Sequence, residues 1–174
     1  VTYDGNGNIV TITDPQGQST THTHDSMDRL TSRTYPGGGT ETYEYDIAGN
    51  LARYTDRNSR LVTHGYDARR RRVSTTYSDG TVTRLTYDAA GRAVEIADST
   101  SGPIQYEYDP LGRLLRQVSA LGTVAYAYDA LDRRTLCAAP GAVPTSYVYD
   151  VNSRLVQMQQ GPQIVQLEYD LSGR

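Results

Sequence analysis

Along the chain, large side chains alternate with small or polar ones in short runs, and no stretch keeps a helical period. In Tyr43-Glu44-Tyr45, Tyr106-Glu107-Tyr108, Tyr126-Ala127-Tyr128 and Tyr147-Val148-Tyr149 the bulky residues stand two apart. That spacing puts both on one face of a β-strand. Each run is followed by Asp and, three residues later, by Gly or a stand-in. Asp109-Pro110-Leu111-Gly112 suits a type I turn best, with Asp first, Pro second and Gly fourth. Alternation resumes at the next Arg, as in Arg113-Leu114-Leu115-Arg116-Gln117-Val118. Other turn signals fall midway: Pro15-Gln16-Gly17, Pro36-Gly37-Gly38-Gly39, Ser78-Asp79-Gly80, Ser101-Gly102-Pro103, Pro140-Gly141 and Gly161-Pro162. The pattern predicts units of two antiparallel strands joined by one tight, recurrent turn and one variable turn.

These units recur. Tyr-Asp pairs begin at Tyr3, Tyr45, Tyr66, Tyr87, Tyr108, Tyr128, Tyr149 and Tyr169, and His24-Asp25 is a degenerate copy between the first two. The period is about 21 residues, the signature of a repeat architecture. The recurrent positions single out Tyr45, Asp46, Gly49, Tyr66, Asp67, Tyr87, Asp88, Gly91, Arg92, Tyr108, Asp109, Gly112, Arg113, Tyr128, Asp129, Tyr149 and Asp150 as the residues that build the repeat. Asp28, Arg70, Asp132 and Ser153 replace the Gly, and local distortion is expected in the repeats of His24, Arg70-Arg71 and Asp132-Arg133. Gly173 and Arg174 would be the Gly-Arg pair of the last repeat. The fold class is all-β: tandem hairpins in a single array over residues 1–174, about eight repeats and no separate second domain. Twisted open sheets seldom exceed ~10 strands without curling, so a long meander is expected to spiral into part of a hollow shell.

Composition agrees with a wall more than with a dense core. The 174 residues include 15 Tyr, no Phe and no Trp, so tyrosine has to supply much of the packing surface. Buried tyrosine hydroxyls need partners. All 17 basic residues are arginine, suited to planar pairing with the 20 acidic residues. A net charge of -3 gives no reason to expect nucleic acid as a partner. No apolar run is long enough for a helix to span a bilayer. The chain begins at Val1 without an initiating Met or a signal peptide, and it is expected to be a stretch of a longer array.

The copies at 106–114 (Tyr-Glu-Tyr-Asp-Pro-Leu-Gly-Arg-Leu), 43–51 (Tyr-Glu-Tyr-Asp-Ile-Ala-Gly-Asn-Leu) and 87–92 (Tyr-Asp-Ala-Ala-Gly-Arg) resemble the Rhs/YD-repeat family. That family includes bacterial Rhs polymorphic toxins, the B/C components of Tc toxins, wall-associated proteins and teneurin ectodomains. The resemblance runs through the whole chain. It implies a spiralling β-sheet shell that encapsulates a C-terminal toxin or effector, in a secreted or cell-surface bacterial protein. The partners it implies are the rest of the same shell and the enclosed effector. Family shells end in a closing core segment, and residues 1–174 are expected to hold shell repeats without it.

Candidate chemistry is sparse, and no enzymatic activity, metal or cofactor is expected. Cys137 has no His in its own repeat, and no G-x-S-x-G elbow occurs. His22 and His24 share a strand face, but His64 lies two repeats away and no third ligand has suitable spacing. These histidines are expected to stand in for tyrosine. Arg69-Arg70-Arg71-Arg72 falls in a tight-turn phase and reads as a solvated turn before a phosphate site. Each Asp of a Tyr-Asp pair either caps its own turn or joins an exposed ladder with the following Arg, the first role being expected to dominate. Rows such as Tyr106, Tyr126 and Tyr147 could offer glycans aromatic platforms, a carbohydrate-binding or adhesion role, although cross-strand ring packing is the expected use. Exposed edge strands leave self-association open.

Overall fold

The computed structural model describes residues 1–170 and 172; Gly173 and Arg174 lie outside the described residues. Two compact units emerge, Val1–Leu85 with Asp98–Thr100, and Thr86–Ala97 with Ser101–Arg174. The first holds β1 (Thr2–Tyr3), β2 (Ile9–Thr13), β3 (Ser19–His24), β4 (Leu30–Thr34), β5 (Thr40–Tyr45), β6 (Leu51–Thr55), β7 (Leu61–Tyr66), β8 (Arg72–Tyr77) and the start of β9 (Val82–Tyr87). The second holds β10 (Ala93–Asp98) in large part, β11 (Gly102–Tyr108), β12 (Leu114–Ser119), β13 (Gly122–Tyr128), β14 (Arg134–Ala138), β15 (Thr145–Tyr149), β16 (Leu155–Gln160) and β17 (Gln163–Gln166). The described residues contain no helix, as the all-β expectation requires.

Within the first unit each strand from β1 to β8 pairs antiparallel with the next. The same holds from β11 to β17 in the second. The two-residue period of a strand then sorts side chains onto two faces. On β5, Glu41, Tyr43 and Tyr45 share the more buried face, while Thr40, Thr42 and Glu44 are exposed on the other. Register carries this across the sheet. Tyr43 sits opposite Tyr54, and Thr42 opposite both Ser32 and Thr55. One face of the first unit is therefore tyrosine-bearing and the other hydroxyl-bearing, with close pairs such as Thr23–Ser32 at 2.7 Å and Thr34–Thr40 at 3.0 Å.

No hydrophobic side chain among the described residues is fully buried; the buried ones are Glu41, Thr75 and Asp109, all polar. Cohesion must come from strand ladders, partial burial and side-chain links between repeats.

Candidate functional site

The recurrent Tyr-Asp residues gather along one edge of each unit. There the chain reverses through a three-residue loop of one design. The Asp46 N–H donates to the Asn50 carbonyl at 2.9 Å, and the Gly49 N–H donates back to the Asp46 carbonyl at 3.0 Å. Gly49 has φ +87°. This is a type I turn closed by a left-handed residue, which leaves one extra residue and a bulge. The pairing register shifts there accordingly, with Tyr45 opposite Leu51. Eight such turns, opened by Asp4, Asp25, Asp46, Asp67, Asp88, Asp109, Asp129 and Asp150, share both hydrogen bonds.

The Asp side chain closes the loop from inside. Asp109 Oδ1 accepts the N–H groups of Leu111 and Arg113, each at 2.9 Å, while Oδ2 takes Nε of Arg113 at 2.6 Å. Capping and ion pairing are thus two halves of one carboxylate's work. Asp25 is held below the usual carboxylate range by the Arg29 guanidinium first, and Asp67 and Asp150 by the N–H of Arg71 and Arg154.

The Arg then reaches forward. Nη1 of Arg92 donates to the Asp109 carbonyl (3.1 Å), Arg113 to that of Asp129 (2.9 Å) and Arg133 to that of Asp150 (3.1 Å). The same guanidinium covers the next tyrosine: Arg29 over Tyr45 (4.4 Å to the ring centre), Arg92 over Tyr108 (4.8 Å), Arg113 over Tyr128 (5.1 Å) and Arg133 over Tyr149 (4.9 Å). The tyrosine answers backward. Tyr45, Tyr66, Tyr108, Tyr128 and Tyr149 donate their hydroxyls to the carbonyls of Leu30, Leu51, Ala93, Leu114 and Arg134. Asp, Arg and the following Tyr form a clasp between consecutive repeats. Asn50 replaces Arg in one repeat, and its Nδ2 still reaches Asp46 Oδ2 at 2.8 Å.

The repeats expected to be distorted are not. Asp28, Arg70 and Asp132 take φ of 61°, 60° and 63°, and Ser153 takes 63°. All four keep the turn's hydrogen bonds. The loop needs a left-handed residue, and a polar side chain accepts that conformation at a cost of ~1–2 kcal/mol. Three of the four side chains gain a partner from the preceding repeat. Asp28 accepts from Asn6 (2.8 Å) and Asn8 (2.7 Å), Asp132 from Arg113 (2.9 Å) and Ser153 from Arg133 (3.3 Å).

The opposite edge holds what the sequence reading missed. Asp14, Tyr35, Asp56 and Tyr77 open four turns of the same backbone design at 21-residue spacing. Asp56 even repeats the capping and the Nε contact, with Arg60 at 2.7 Å. The spacing was available as a signal, hidden by the alternation of Asp and Tyr. Inward of this edge, Glu41 Oε2 accepts the hydroxyls of Tyr35 (3.1 Å) and Tyr43 (3.0 Å) and lies 3.5 Å from Arg33. Burial, then Glu41, pushes the Tyr43 hydroxyl up to about 12.

The remaining candidates are scattered. His22, on β3, has an Nδ1 with no hydrogen-bond partner among the described residues, and burial holds its pKa below the usual value. His64 faces Thr75 Oγ1 at 3.1 Å and is lowered by burial as well. No group of three or more His, Cys, Asp and Glu among the described residues is arranged to hold a metal. Arg71 is engaged by Asp67, and Arg70 occupies the left-handed turn position. Cys137 is a half-buried free thiol on β14. Tyr126 and Tyr147 are separated by the Arg134 guanidinium, 5.8 and 4.9 Å from their ring centres, so an interleaved cation replaces the expected stacking there. Ring faces covered by guanidinium leave less platform for a sugar.

Comparison with known proteins agrees with this geometry. Solved structures of similar fold include the Photorhabdus luminescens Tc holotoxin pore (TM-score 0.70, 18% identity, 86% of this chain and 9% of that one). The TcdB2-TccC3-TEV crystal structure is alike (TM-score 0.70, 17% identity, 87% of this chain and 10% of that one). So is TcdB2-TccC3 without its hypervariable C-terminal region (TM-score 0.71, 16% identity, 88% and 10%). The chain therefore spans about a tenth of the length of the chains it matches. None of the curated proteins matches it in sequence. The RHS Repeat model matches residues 3–40 and the Teneurin YD-shell model residues 34–139, more than half of the chain. The chain belongs to the YD-shell family of RHS-type repeat proteins.

Proposed function

We propose that this chain is a wall segment of a β-shell scaffold that encloses a C-terminal toxin or effector domain and performs no catalysis itself. The observation that carries the reading is a repeat-to-repeat clasp in a protein with no buried hydrophobic residue among those described. Such a sheet is built to be extended by further copies, not to fold around its own core. The similar structures are toxin assemblies, one of them named for the removal of a hypervariable C-terminal region. Residues 1–174 are on this reading a single array within a longer shell of a secreted or surface-delivered protein. Its partners are the other repeats and the enclosed domain, and the Tyr, Asp, Gly and Arg positions of the repeat serve structure alone.

The test is limited proteolysis of the full-length natural product, read by mass spectrometry. A C-terminal domain that survives in the native protein and is digested once the shell is opened by denaturant supports encapsulation. Digestion at the rate of the isolated domain, or a product without such a domain, overturns it. Saturable glycan binding confined to a few repeats would point to adhesion instead.

A further inference from the structure

The edge that carries the Asp56 and Tyr77 turns holds a cleft of roughly 320 Å³ in the first unit, between those two turns. Register explains it. Tyr43, Tyr54, Val62 and Tyr77 stand opposite one another on four consecutive strands, β5 to β8, and so share the tyrosine-bearing face. Tyr54 leans on Tyr43, with ring centres 5.2 Å apart. Val62 is short, and the row dips there between two tall residues two strand spacings, ~10 Å, apart. Asp56, Arg60 and Asp79 rim the dip. Arg60 turns its Nε and Nη2 onto Asp56 Oδ2, each at 2.7 Å. Asp79 accepts the Thr81 N–H at 2.8 Å and has no ion-pair partner among the described residues. Two carboxylates against one guanidinium leave the rim with one uncompensated negative charge.

Other tyrosines of the chain carry a cation of its own. Tyr35, which opens the corresponding turn two repeats earlier, has the Arg57 guanidinium 4.6 Å from its ring centre. Ser99 stands at that distance in sequence from Tyr77, 22 residues on in both cases. Among the described residues no guanidinium covers Tyr54 or Tyr77, and Tyr77 is 43% exposed. One exposed tyrosine needs no explanation. Two rings flanking a short side chain, without a cation of their own and rimmed by an unpaired carboxylate, do.

We propose that the cleft between Tyr54 and Tyr77 binds a compact organic ammonium ion, of the trimethylammonium type carried by choline and by choline headgroups. A cation seated over Val62 lies ~5 Å from either ring, inside the ~6 Å over which an aromatic face attracts positive charge. Its methyl groups pack on the rings and on Val62, and Asp79 supplies the counter-charge at the mouth. The Thr81 N–H holds that carboxyl below the ordinary value, so it is ionised at neutral pH. A bare metal ion would need several oxygen ligands, more than this rim provides. An anion would meet Asp79, and a neutral sugar would leave the rim charge unmatched. The volume is at the small end for ligand sites, ~300–1,000 Å³, which suits a head group.

The test is a titration of the full-length protein with choline, read by saturation-transfer NMR on the choline methyl protons. Saturable binding is expected, weakened several-fold in Tyr77→Leu and in Asp79→Asn and retained in Tyr77→Trp, with circular dichroism of the variants matching the parent. The neutral carbon isostere of choline, with a tert-butyl group in place of the ammonium, should bind several-fold more weakly. Absence of saturable choline binding, binding that Tyr77→Leu and Asp79→Asn leave unchanged, or equal binding of the isostere overturns the proposal. A methyl pyranoside that competes for the cleft as tightly as choline overturns it in favour of a sugar site. Should Tyr77→Leu fail to fold, Asp79→Asn and the isostere decide. Retention on phosphatidylcholine vesicles that excess choline reverses would place the ammonium on a lipid headgroup; choline binding without retention would place it on a soluble compound.

Discussion

The Arg113 guanidinium lies 5.1 Å from the ring centre of Tyr128, a residue of the following repeat, while its Nε holds Asp109 of its own. One side chain therefore ties two repeats by three different chemistries: an ion pair, a hydrogen bond to the Asp129 carbonyl and a stacked cation. A lysine has the charge but neither the fork nor the flat face. Arg113→Lys is expected to lower Tm by several degrees, nearly as much as Arg113→Ala. A lysine variant that melts with the parent would show that charge alone suffices.

Gly112 has φ +88°, and a Cβ there would come 3.6 Å from Arg92 Nη1. Ala120 sits exposed in a turn on the other edge. Gly112→Val should therefore cost about 1–2 kcal/mol more than Ala120→Val, from the left-handed penalty alone. Equal thermal melts for the two variants would count against the turn's requirement for that conformation.

The reverse change is expected to stabilise. Arg70 occupies the same conformation at φ 60° with an exposed side chain. Arg70→Gly should gain about 1 kcal/mol in denaturant unfolding. Asp132→Gly should gain less, because it removes the acceptor that Arg113 Nη1 reaches at 2.9 Å.

Acid should loosen the array in a defined window. Asp25, Asp67 and Asp150 have carboxyls held below the ordinary value by Arg29, and by the N–H groups of Arg71 and Arg154. A depressed folded-state value stabilises the fold above the unfolded one, ~3.9, and that stability disappears as pH falls through the folded value. Melting temperature should therefore hold steady down to about pH 4 and drop below it. Asp67→Asn should lower the neutral-pH melt and flatten the acid limb, as circular dichroism melts across pH would reveal.

Much of this was legible in the residues because the strongest signals are local. The Tyr-x-Tyr spacing places Tyr43 and Tyr45 on one face whatever surrounds them. The Asp109-to-Gly112 turn closes through contacts at most four residues apart. The forward reach of Arg113 to the Asp129 carbonyl was not legible, since it depends on which strand a flexible side chain leans over. Arg134 between Tyr126 and Tyr147 escaped notice for the same reason. The expectation of distortion at Asp132 treated Gly as indispensable, whereas the loop requires only a left-handed residue. The Glu41 cluster joins β4, β5 and the turn between them, and no spacing rule marks it.

A chain whose described hydrophobic side chains all keep some contact with water hides less apolar surface than one with a dry core, and so has less of it to hydrate on unfolding. Hydration of newly exposed apolar surface is the main source of the heat-capacity increase on unfolding, and that increase bends the curve of free energy against temperature. The curve for this sheet should be correspondingly shallow, so that it holds much the same grip in the cold as in the warmth.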